Sequence, residues 1–68
     1  MKLYFKLEKE TKGALRYQEV DEAGNEFSSL AETTIGTLYV RKLAMRKLAE
    51  DGPPIRLDVK MRVGTGLP

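Results

Sequence analysis

Residues 55–63 have the sequence Ile-Arg-Leu-Asp-Val-Lys-Met-Arg-Val, in which apolar and charged side chains alternate without a break. Successive side chains of a β-strand point to opposite faces of a sheet, so this pattern predicts a strand with one buried and one charged face. Such a strand needs neighbouring strands to pair with and a second layer to cover its apolar face. The neighbouring strands and the covering layer have to come from residues 1–54.

The N-terminal part of the chain predicts a β-hairpin. Residues 2–8 alternate polar and apolar side chains, and residues 14–20 form a second segment with strand-like alternation. Residues 10–13, Glu-Thr-Lys-Gly, join the two segments as a tight turn. Gly13 can take the positive φ that closes a hairpin with a bulge, so we expect the irregularity of this hairpin at that residue.

Residues 21–34 lack a clear periodicity. Residues 21–25 are rich in turn-forming side chains and are typical of a second hairpin turn that leads into an extended piece at residues 26–27. Residues 29–32, Ser-Leu-Ala-Glu, match a capping box and predict one helical turn. A connection without regular structure is the alternative.

Residues 35–40, Ile-Gly-Thr-Leu-Tyr-Val, are β-branched or aromatic and predict a third strand. Residues 41–50 are good helix formers and predict a helix with Gly52 at its C-terminal cap, because Pro53 and Pro54 cannot continue it. A helix that begins with Thr37 as its N-cap is the alternative.

These elements predict an α+β domain over residues 1–63, followed by a flexible C-terminal tail at residues 64–68. The predicted order is β-β-β-α-β, in a small, mainly antiparallel sheet of three to four strands with one helix packed on one face. The side chains that this arrangement would bury are Leu3, Phe5, Leu7, Leu15, Tyr17, Leu38, Val40, Ala44, Met45, Leu48, Ile55, Leu57, Val59 and Met61.

The composition excludes several kinds of chemistry. The 68 residues contain no Cys and no His, so they offer no thiolate nucleophile, no disulfide and no imidazole base or metal ligand. We therefore predict no catalytic, cofactor or metal site, and we expect a protein that is not an enzyme. We also expect six carboxylates of the first half to be solvated, namely Glu8, Glu10, Glu19, Asp21, Glu22 and Glu26.

Hydropathy predicts a small soluble domain. The longest apolar run, residues 35–40, is too short to span a bilayer, and the first residues lack the pattern of a signal peptide. We therefore expect no membrane partner and a cytoplasmic location, which the absence of Cys also favours.

Charge is unevenly distributed. Residues 1–34 carry 5 basic and 7 acidic side chains, whereas residues 35–68 carry 7 basic and 3 acidic ones. The strand alternation places many cations on the sheet face opposite the core, where they could hold the phosphates of single-stranded nucleic acid while Tyr4 stacks on a base. An ordinary charged surface is the alternative. The predicted nucleic-acid-binding residues of this face are Lys2, Tyr4, Lys6, Arg16, Arg56, Lys60 and Arg62.

A second basic group lies in the predicted helix. Arg41, Lys42, Arg46 and Lys47 occur within seven residues with no acidic side chain among them. They could dock on a phosphate backbone, or they could be a solvated helix face whose cations favour the C-terminal end of the dipole. One continuous surface with the sheet cations would favour nucleic acid, whereas opposite sides would favour the solvated interpretation.

Three apolar side chains have no obvious place in a core with one helix: Phe27, Leu30 and Tyr39. An exposed apolar patch often marks an interface, so these residues predict a homodimer or a protein partner. The alternative is that the connection at residues 21–34 folds over the sheet edge and covers them.

The segments Lys9-Glu10-Thr11-Lys12, Arg16-Tyr17 and residues 35–42 together resemble a group of small uncharacterised prokaryotic and phage-type proteins. These carry a Lys-x-Thr-Lys…Arg-Tyr hairpin, a Gly-Thr-Leu-Tyr-(Val/Ile)-x-Lys strand and a closing alternating strand. This chain departs from them by a longer connection at residues 21–34 and by the helix extension at residues 46–50. The resemblance implies a strand at residues 35–40 and no activity. The sequence therefore predicts a non-catalytic binding or interaction module.

Overall fold

The computed structural model describes residues 1–64 and residue 66, and within them the chain forms a four-stranded antiparallel sheet and a short α-helix. The elements are β1 (Lys2–Glu10), β2 (Ala14–Val20), a 3₁₀ turn (Leu30–Glu32), β3 (Thr37–Arg41), α1 (Lys42–Leu48) and β4 (Arg56–Lys60). The strand order is β3-β2-β1-β4. The predicted α+β class is confirmed, and so is the strand rather than the helix at Thr37. Most of the predicted tail, at residues 65, 67 and 68, lies outside the described residues.

The β1–β2 hairpin is closed by a threonine side chain. Thr11 Oγ1 donates a hydrogen bond to the carbonyl oxygen of Ala14 at 3.0 Å and accepts one from the Ala14 N–H at 3.2 Å. The backbone N–H of Thr11 donates to the same carbonyl at 2.8 Å. The expectation of a positive φ at Gly13 is wrong, because the Thr11 hydroxyl satisfies the turn without it.

The irregularity of this hairpin lies instead inside β1. Leu7 is opposite Tyr17, but the next paired residue of β1 is Lys9, which is opposite Arg16, so Glu8 is an extra residue. A bulge of this kind reverses the faces on which the following side chains lie. Glu10 therefore lies on the same face as the helix, where its Oε2 is 2.7 Å from Lys42 Nζ.

The core lies on one face of the sheet, which we call the inner face because α1 packs on it. Phe5 and Tyr17 are fully buried there, and the hydroxyl of Tyr17 donates a hydrogen bond of 2.8 Å to the carbonyl oxygen of Pro54. This bond fixes the segment that crosses from α1 to β4. The buried apolar cluster consists of Leu3, Phe5, Leu15, Tyr17 and Met45.

The helix is shorter than predicted and buries less. It ends at Leu48, with Ala49 as its C-terminal cap, so Gly52 lies beyond the cap position expected for it. Only Met45 of α1 is buried. The expected burial of Ala44, Leu48 and Ile55 is wrong, because a helix of two turns covers too little of the inner face. Leu48 and Ile55 are 70% and 71% exposed.

The connection between β2 and β3 is ordered by local hydrogen bonds. Its first turn is held by Asp21, which accepts hydrogen bonds from Gly24 and Asn25, and Glu26 then bridges to Val20. Ser29 caps the 3₁₀ turn by accepting the N–H of Ala31 at 3.1 Å. The predicted turn and helical turn are therefore present, although the second is a 3₁₀ turn.

Candidate nucleic-acid interface

The sheet face away from α1, which we call the outer face, carries two pairs of facing cations on β1 and β4. Lys2 lies opposite Lys60, and Lys6 lies opposite Arg56. Like charges directly opposite each other destabilise a sheet, because cross-strand neighbours on one face are in contact distance. Asp58, which lies opposite Tyr4, separates the two pairs along β4.

The hydrogen-bond pattern brings these cation pairs close together. The backbone groups of Met1 and Met61 exchange hydrogen bonds of 2.6 and 2.7 Å, and the Leu7 N–H donates to the carbonyl of Ile55 at 2.7 Å. Hydrogen-bonded pairs therefore fall at the odd-numbered residues of this part of β1. The two cation pairs occupy the alternate positions, where opposed Cα atoms are only about 4.5 Å apart.

Within the described residues, 1–64 and 66, Arg56 is the one member of these pairs that other side chains contact. Its Nε lies 3.0 Å from Asp58 Oδ1, and its guanidinium carbon lies 4.8 Å from the centroid of the Tyr4 ring. The contact is a cation–π interaction that covers one face of the ring. Tyr4 can therefore offer a nucleic-acid base only its other face.

The lysines of the outer face are free to bind an anion. Lys2, Lys6 and Lys60 are exposed. Across residues 1–64 and residue 66, none of the three forms an ion pair with a carboxylate. These ammonium groups are available to phosphate oxygens.

Arg16 and Arg62 occupy different positions from these lysines. Arg16 Nε lies 2.7 Å from Glu8 Oε1, although its N–H is not aligned with the oxygen, so the contact is an ion pair without a good hydrogen bond. Glu8 thus balances the charge of Arg16. Arg62 is exposed and follows the end of β4 by two residues. Neither arginine belongs to the facing pairs.

The four cations predicted to act from the helix are divided between the two faces. Arg41 is the last residue of β3 and lies opposite Ala14, which places it on the outer face. Lys42 is paired with Glu10 on the inner face. Arg46 and Lys47 are exposed on α1 on that same side. The helix cations and the sheet cations therefore do not form one continuous surface.

Lys9 belongs to the outer face although strict alternation along β1 would place it on the inner one. It lies beyond the bulge, opposite Arg16, and is exposed. The residue types around Glu8 contain no signal of the bulge, since charged side chains at residues 8–10 fit either register. Only the pairing of β1 with β2 identifies this residue.

The three residues of the predicted apolar interface have different environments. Phe27 is half-buried and lies over the outer face, where it shares a shallow pocket with Gln18 and Leu30. Leu30 is 71% exposed, and Tyr39 is 59% exposed on β3 opposite Arg16. The β2–β3 connection therefore partly covers Phe27, as the alternative interpretation predicted, but it leaves Leu30 and Tyr39 exposed. An interface at these residues stays a prediction.

Glu19 is a buried carboxylate, which corrects the expectation that it is solvated. It lies at the end of β2 with only 3% of its surface exposed. Its carboxylate accepts the backbone N–H groups of Thr34, Ile35 and Gly36 at 2.7 to 3.1 Å. Burial raises the pKa of this carboxyl group, but the three hydrogen bonds together outweigh it and leave the pKa below its ordinary value.

The position of Glu19 gives it a structural role. Three consecutive N–H groups that converge on one point form a concave anion site, and the protein fills this site with its own side chain. Gly36, with a φ of +92°, provides the backbone turn that brings the third N–H into place. The feature of the sequence that accompanies this site is the Ile35-Gly36 pair before β3. Such a pair is too common to show that its N–H groups bind Glu19.

The remaining surface offers no enclosed ligand site in residues 1–64 and residue 66. Its best-formed pockets, one of them between α1 and the β1–β2 hairpin, have volumes of about 180 to 270 Å³, which is smaller than ordinary small-molecule sites. No three acidic side chains in this part of the chain are grouped so that they could hold a metal ion. No helix within it is long and apolar enough to cross a membrane.

Comparison with known proteins adds nothing to these observations. No family model, curated protein or solved structure matches this chain. The resemblance to small prokaryotic and phage-type proteins therefore stays a prediction. Any function has to be argued from the surface itself.

Proposed function

We propose that this chain is a non-catalytic binding module that contacts single-stranded nucleic acid through the outer face of β1 and β4. The observation that carries the proposal is the facing of like charges across β1 and β4, Lys2 opposite Lys60 and Lys6 opposite Arg56. Without an anion such facing charges cost stability. A phosphate between the members of each pair turns that repulsion into two charge-assisted contacts.

The spacing of the pairs suits an extended phosphate chain. Lys2 and Lys6 are four residues apart along β1, which corresponds to about 13 Å at the rise of an antiparallel strand. Tyr4 lies between them and has one ring face left for a base. A row of cations beside a single aromatic ring holds the backbone of a flexible strand without selecting a base sequence.

Other parts of the surface support this choice of strands. Phe27 and its neighbours occupy the part of the outer face above β2 and share a pocket with Lys2 and Tyr4 of β1, so β4 is the strand of this face that lines neither pocket. Lys9 extends the same face toward the hairpin turn. The cytoplasmic location expected from the sequence belongs to this proposal and rests on the hydropathy of the chain and on the absence of cysteine among the 68 residues.

The test is fluorescence anisotropy with a labelled, mixed-sequence single-stranded DNA of about 16 nucleotides. With four cations in contact, we expect log K to fall with log salt with a slope of about −3. The double variant Lys2→Gln, Lys6→Gln should halve this slope and weaken binding, because two phosphate contacts are lost.

The matched control is Arg46→Gln, Lys47→Gln, which removes the same charge from the inner-face side. This variant should bind as the unchanged protein does. The proposal is wrong if no binding occurs at about 50 mM salt, or if the control loses as much affinity as the outer-face variant.

A further inference from the structure

We propose that two copies of this chain pair along the free edge of β3, in a contact that does not depend on the proposed binding of nucleic acid. The strand order places β3 at one end of the sheet and β4 at the other, so in residues 1–64 and residue 66 each of them has a neighbouring strand on one side only. An edge strand presents backbone N–H and C=O groups with which a further strand can pair.

The free backbone groups of β3 belong to its odd-numbered residues, Thr37, Tyr39 and Arg41. The Glu19 N–H donates to the Gly36 carbonyl at 2.8 Å. The Lys42 N–H donates to the Gly13 carbonyl at 3.1 Å. Hydrogen-bonded positions alternate along an antiparallel pair, so the even-numbered residues of β3 bond to β2 and the odd-numbered ones point away from it. The Arg41 carbonyl is an exception, because Arg41 is the N-cap of α1 and an N-cap carbonyl accepts the first hydrogen bond of its helix.

The side chains of the two edge strands differ in how well they prevent a further strand from pairing. β3 has the sequence Thr-Leu-Tyr-Val-Arg, in which the one charged residue is the last. β4 has the sequence Arg-Leu-Asp-Val-Lys, in which every second residue is charged. Charged side chains on an edge strand oppose edge-to-edge association. We therefore expect a strand to add at β3 and not at β4.

A second copy of β3 fits this edge in a twofold antiparallel register centred on Tyr39. Tyr39 then faces its own copy, and the two residues exchange a pair of backbone hydrogen bonds. The Arg41 N–H meets the carbonyl of Thr37 in the second copy, which adds one hydrogen bond on each side of the twofold axis. The free groups of β3 are thus complementary to themselves.

The side chains on both faces of the sheet agree with this register. On the inner face, Leu38 of one copy lies opposite Val40 of the other, and both are half-buried within one chain. On the outer face, the two Tyr39 rings, each 59% exposed within one chain, become neighbours. Arg41 lies diagonally across from the Tyr39 ring of the other copy, where a cation–π contact is within reach.

The corresponding register on β4 is unfavourable. Centred on Asp58, it places this carboxylate opposite its own copy and Arg56 opposite Lys60. Like charges would then face each other at every outer-face position of the strand, which destabilises the pairing. At β3 the one charged residue, Arg41, faces the neutral Thr37. A second copy is thus the strand that the β3 edge fits.

The first test is analytical ultracentrifugation of the unchanged chain without nucleic acid, between about 10 and 300 µM. We expect a mass that rises toward twice that of one chain. Tyr39→Lys should raise the dissociation constant about tenfold, because it removes the aromatic pair and places two cations at the twofold axis. Val63→Lys is the matched control, since Val63 is 88% exposed and follows β4 at the other edge of the sheet. The control should dimerise as the unchanged chain does.

A mixture of two variants tests the register. Tyr39→Glu alone should also weaken the dimer, because two carboxylates then meet at the axis. An equimolar mixture of Tyr39→Lys and Tyr39→Glu should associate more tightly than either variant alone, because opposite charges face each other in the mixed pair. This recovery requires that the two copies of residue 39 be neighbours.

Amide hydrogen exchange tests the edge without any substitution. The Tyr39 N–H should exchange more slowly at about 300 µM than at about 10 µM, because the second copy accepts its hydrogen bond. The Asp58 N–H points away from β1 on the charged edge and should exchange at the same rate at both concentrations. These measurements decide the question even if circular dichroism shows that the Tyr39 variants do not fold.

Three results would each overturn the proposal. They are a monomer at every concentration, a dimer that Val63→Lys weakens as much as Tyr39→Lys does, and a mixture of the two Tyr39 variants that associates no better than its parts. Binding of single-stranded DNA is measured separately, at the lowest protein concentration. Failure of the dimer therefore leaves the proposed function standing, and failure of DNA binding leaves the dimer standing.

Discussion

Glu19 shows how one side chain determines the path of a long connection. A buried carboxylate is stable only when its oxygens receive hydrogen bonds, and here three backbone N–H groups provide them. These N–H groups belong to Thr34, Ile35 and Gly36, immediately before β3. Glu19 therefore holds the start of β3 beside the end of β2 and fixes where the β2–β3 connection ends.

Replacement of this carboxylate should destabilise the fold. We expect Glu19→Gln to lower the free energy of unfolding by about 2 kcal/mol, because the amide keeps one acceptor oxygen, loses the charge and turns a donor toward the N–H groups. Urea denaturation measures the change. Glu22→Gln, an exposed acid in the same connection, should change stability by less than about 0.5 kcal/mol. An equal effect of the two variants would contradict the role of Glu19.

The same carboxylate should make the fold sensitive to acid. Because the pKa of Glu19 is lower in the folded state than in the unfolded chain, its contribution is fully present above its unfolded pKa. The contribution is lost as the pH falls through the lower, folded value. Unfolding free energies measured across the acid range should fall less steeply for Glu19→Gln than for the unchanged protein.

At the scale of elements, the turns that come immediately before β2 and before β3 use glycine differently. Gly13 in the β1–β2 turn has no positive φ and has open space around its Cα, since Thr11 closes that turn. Gly36, before β3, has a φ of +92°, and a Cβ added there would lie 3.5 Å from Thr33 Oγ1. The backbone requirement for glycine is therefore real only at the second turn.

This difference predicts opposite effects of one substitution. Gly36→Ala should lower the free energy of unfolding by about 1 to 2 kcal/mol, because it forces an alanine into the left-handed region. Gly13→Ala should be neutral or raise stability by up to about 1 kcal/mol by restricting the unfolded chain. Thermal or urea unfolding of both variants measures the difference. A larger loss at Gly13 would show that the turn assignment is wrong.

At the scale of the whole molecule, the sequence predicted the strands well and the helix layer poorly. The alternation along residues 55–61 and in the first hairpin gave the correct inner and outer faces, because period two leaves only two choices. Lys9 and Glu10 were missed because a bulge carries no composition signal. Leu48 was misplaced because helical periodicity identifies an apolar side without showing whether anything covers it.

The buried Glu19 was beyond sequence analysis for a similar reason. Its partners are backbone groups, which have no identity in the sequence, and they lie fifteen to seventeen residues away along the chain. The facing cation pairs of the candidate nucleic-acid interface could not be predicted either, because they depend on the register between strands. The facing of Lys2 with Lys60 follows from the pairing of β1 with β4, which no local pattern specifies.

The proposed function implies one property of the whole molecule, namely that the outer face of the sheet is less stable than it could be because its cations serve binding. Lys60→Glu replaces a like-charge pair with an opposite-charge pair opposite Lys2, and we expect it to raise the free energy of unfolding by about 0.5 kcal/mol. The same change should weaken binding to single-stranded DNA, because it removes a cation and adds an anion at the phosphate site. If the outer face served only to keep the chain in solution, Lys60→Glu would not raise stability and weaken DNA binding at the same time.

Urea denaturation and anisotropy on the same samples test this opposition. Lys47→Glu makes the same change of charge on α1, away from the outer face, and should leave DNA binding nearly unchanged without raising stability. If Lys60→Glu weakens binding but also destabilises the fold, the like-charge pair is not a cost that an anion relieves. If it stabilises the fold and leaves binding intact, the outer face of β1 and β4 is not the binding surface.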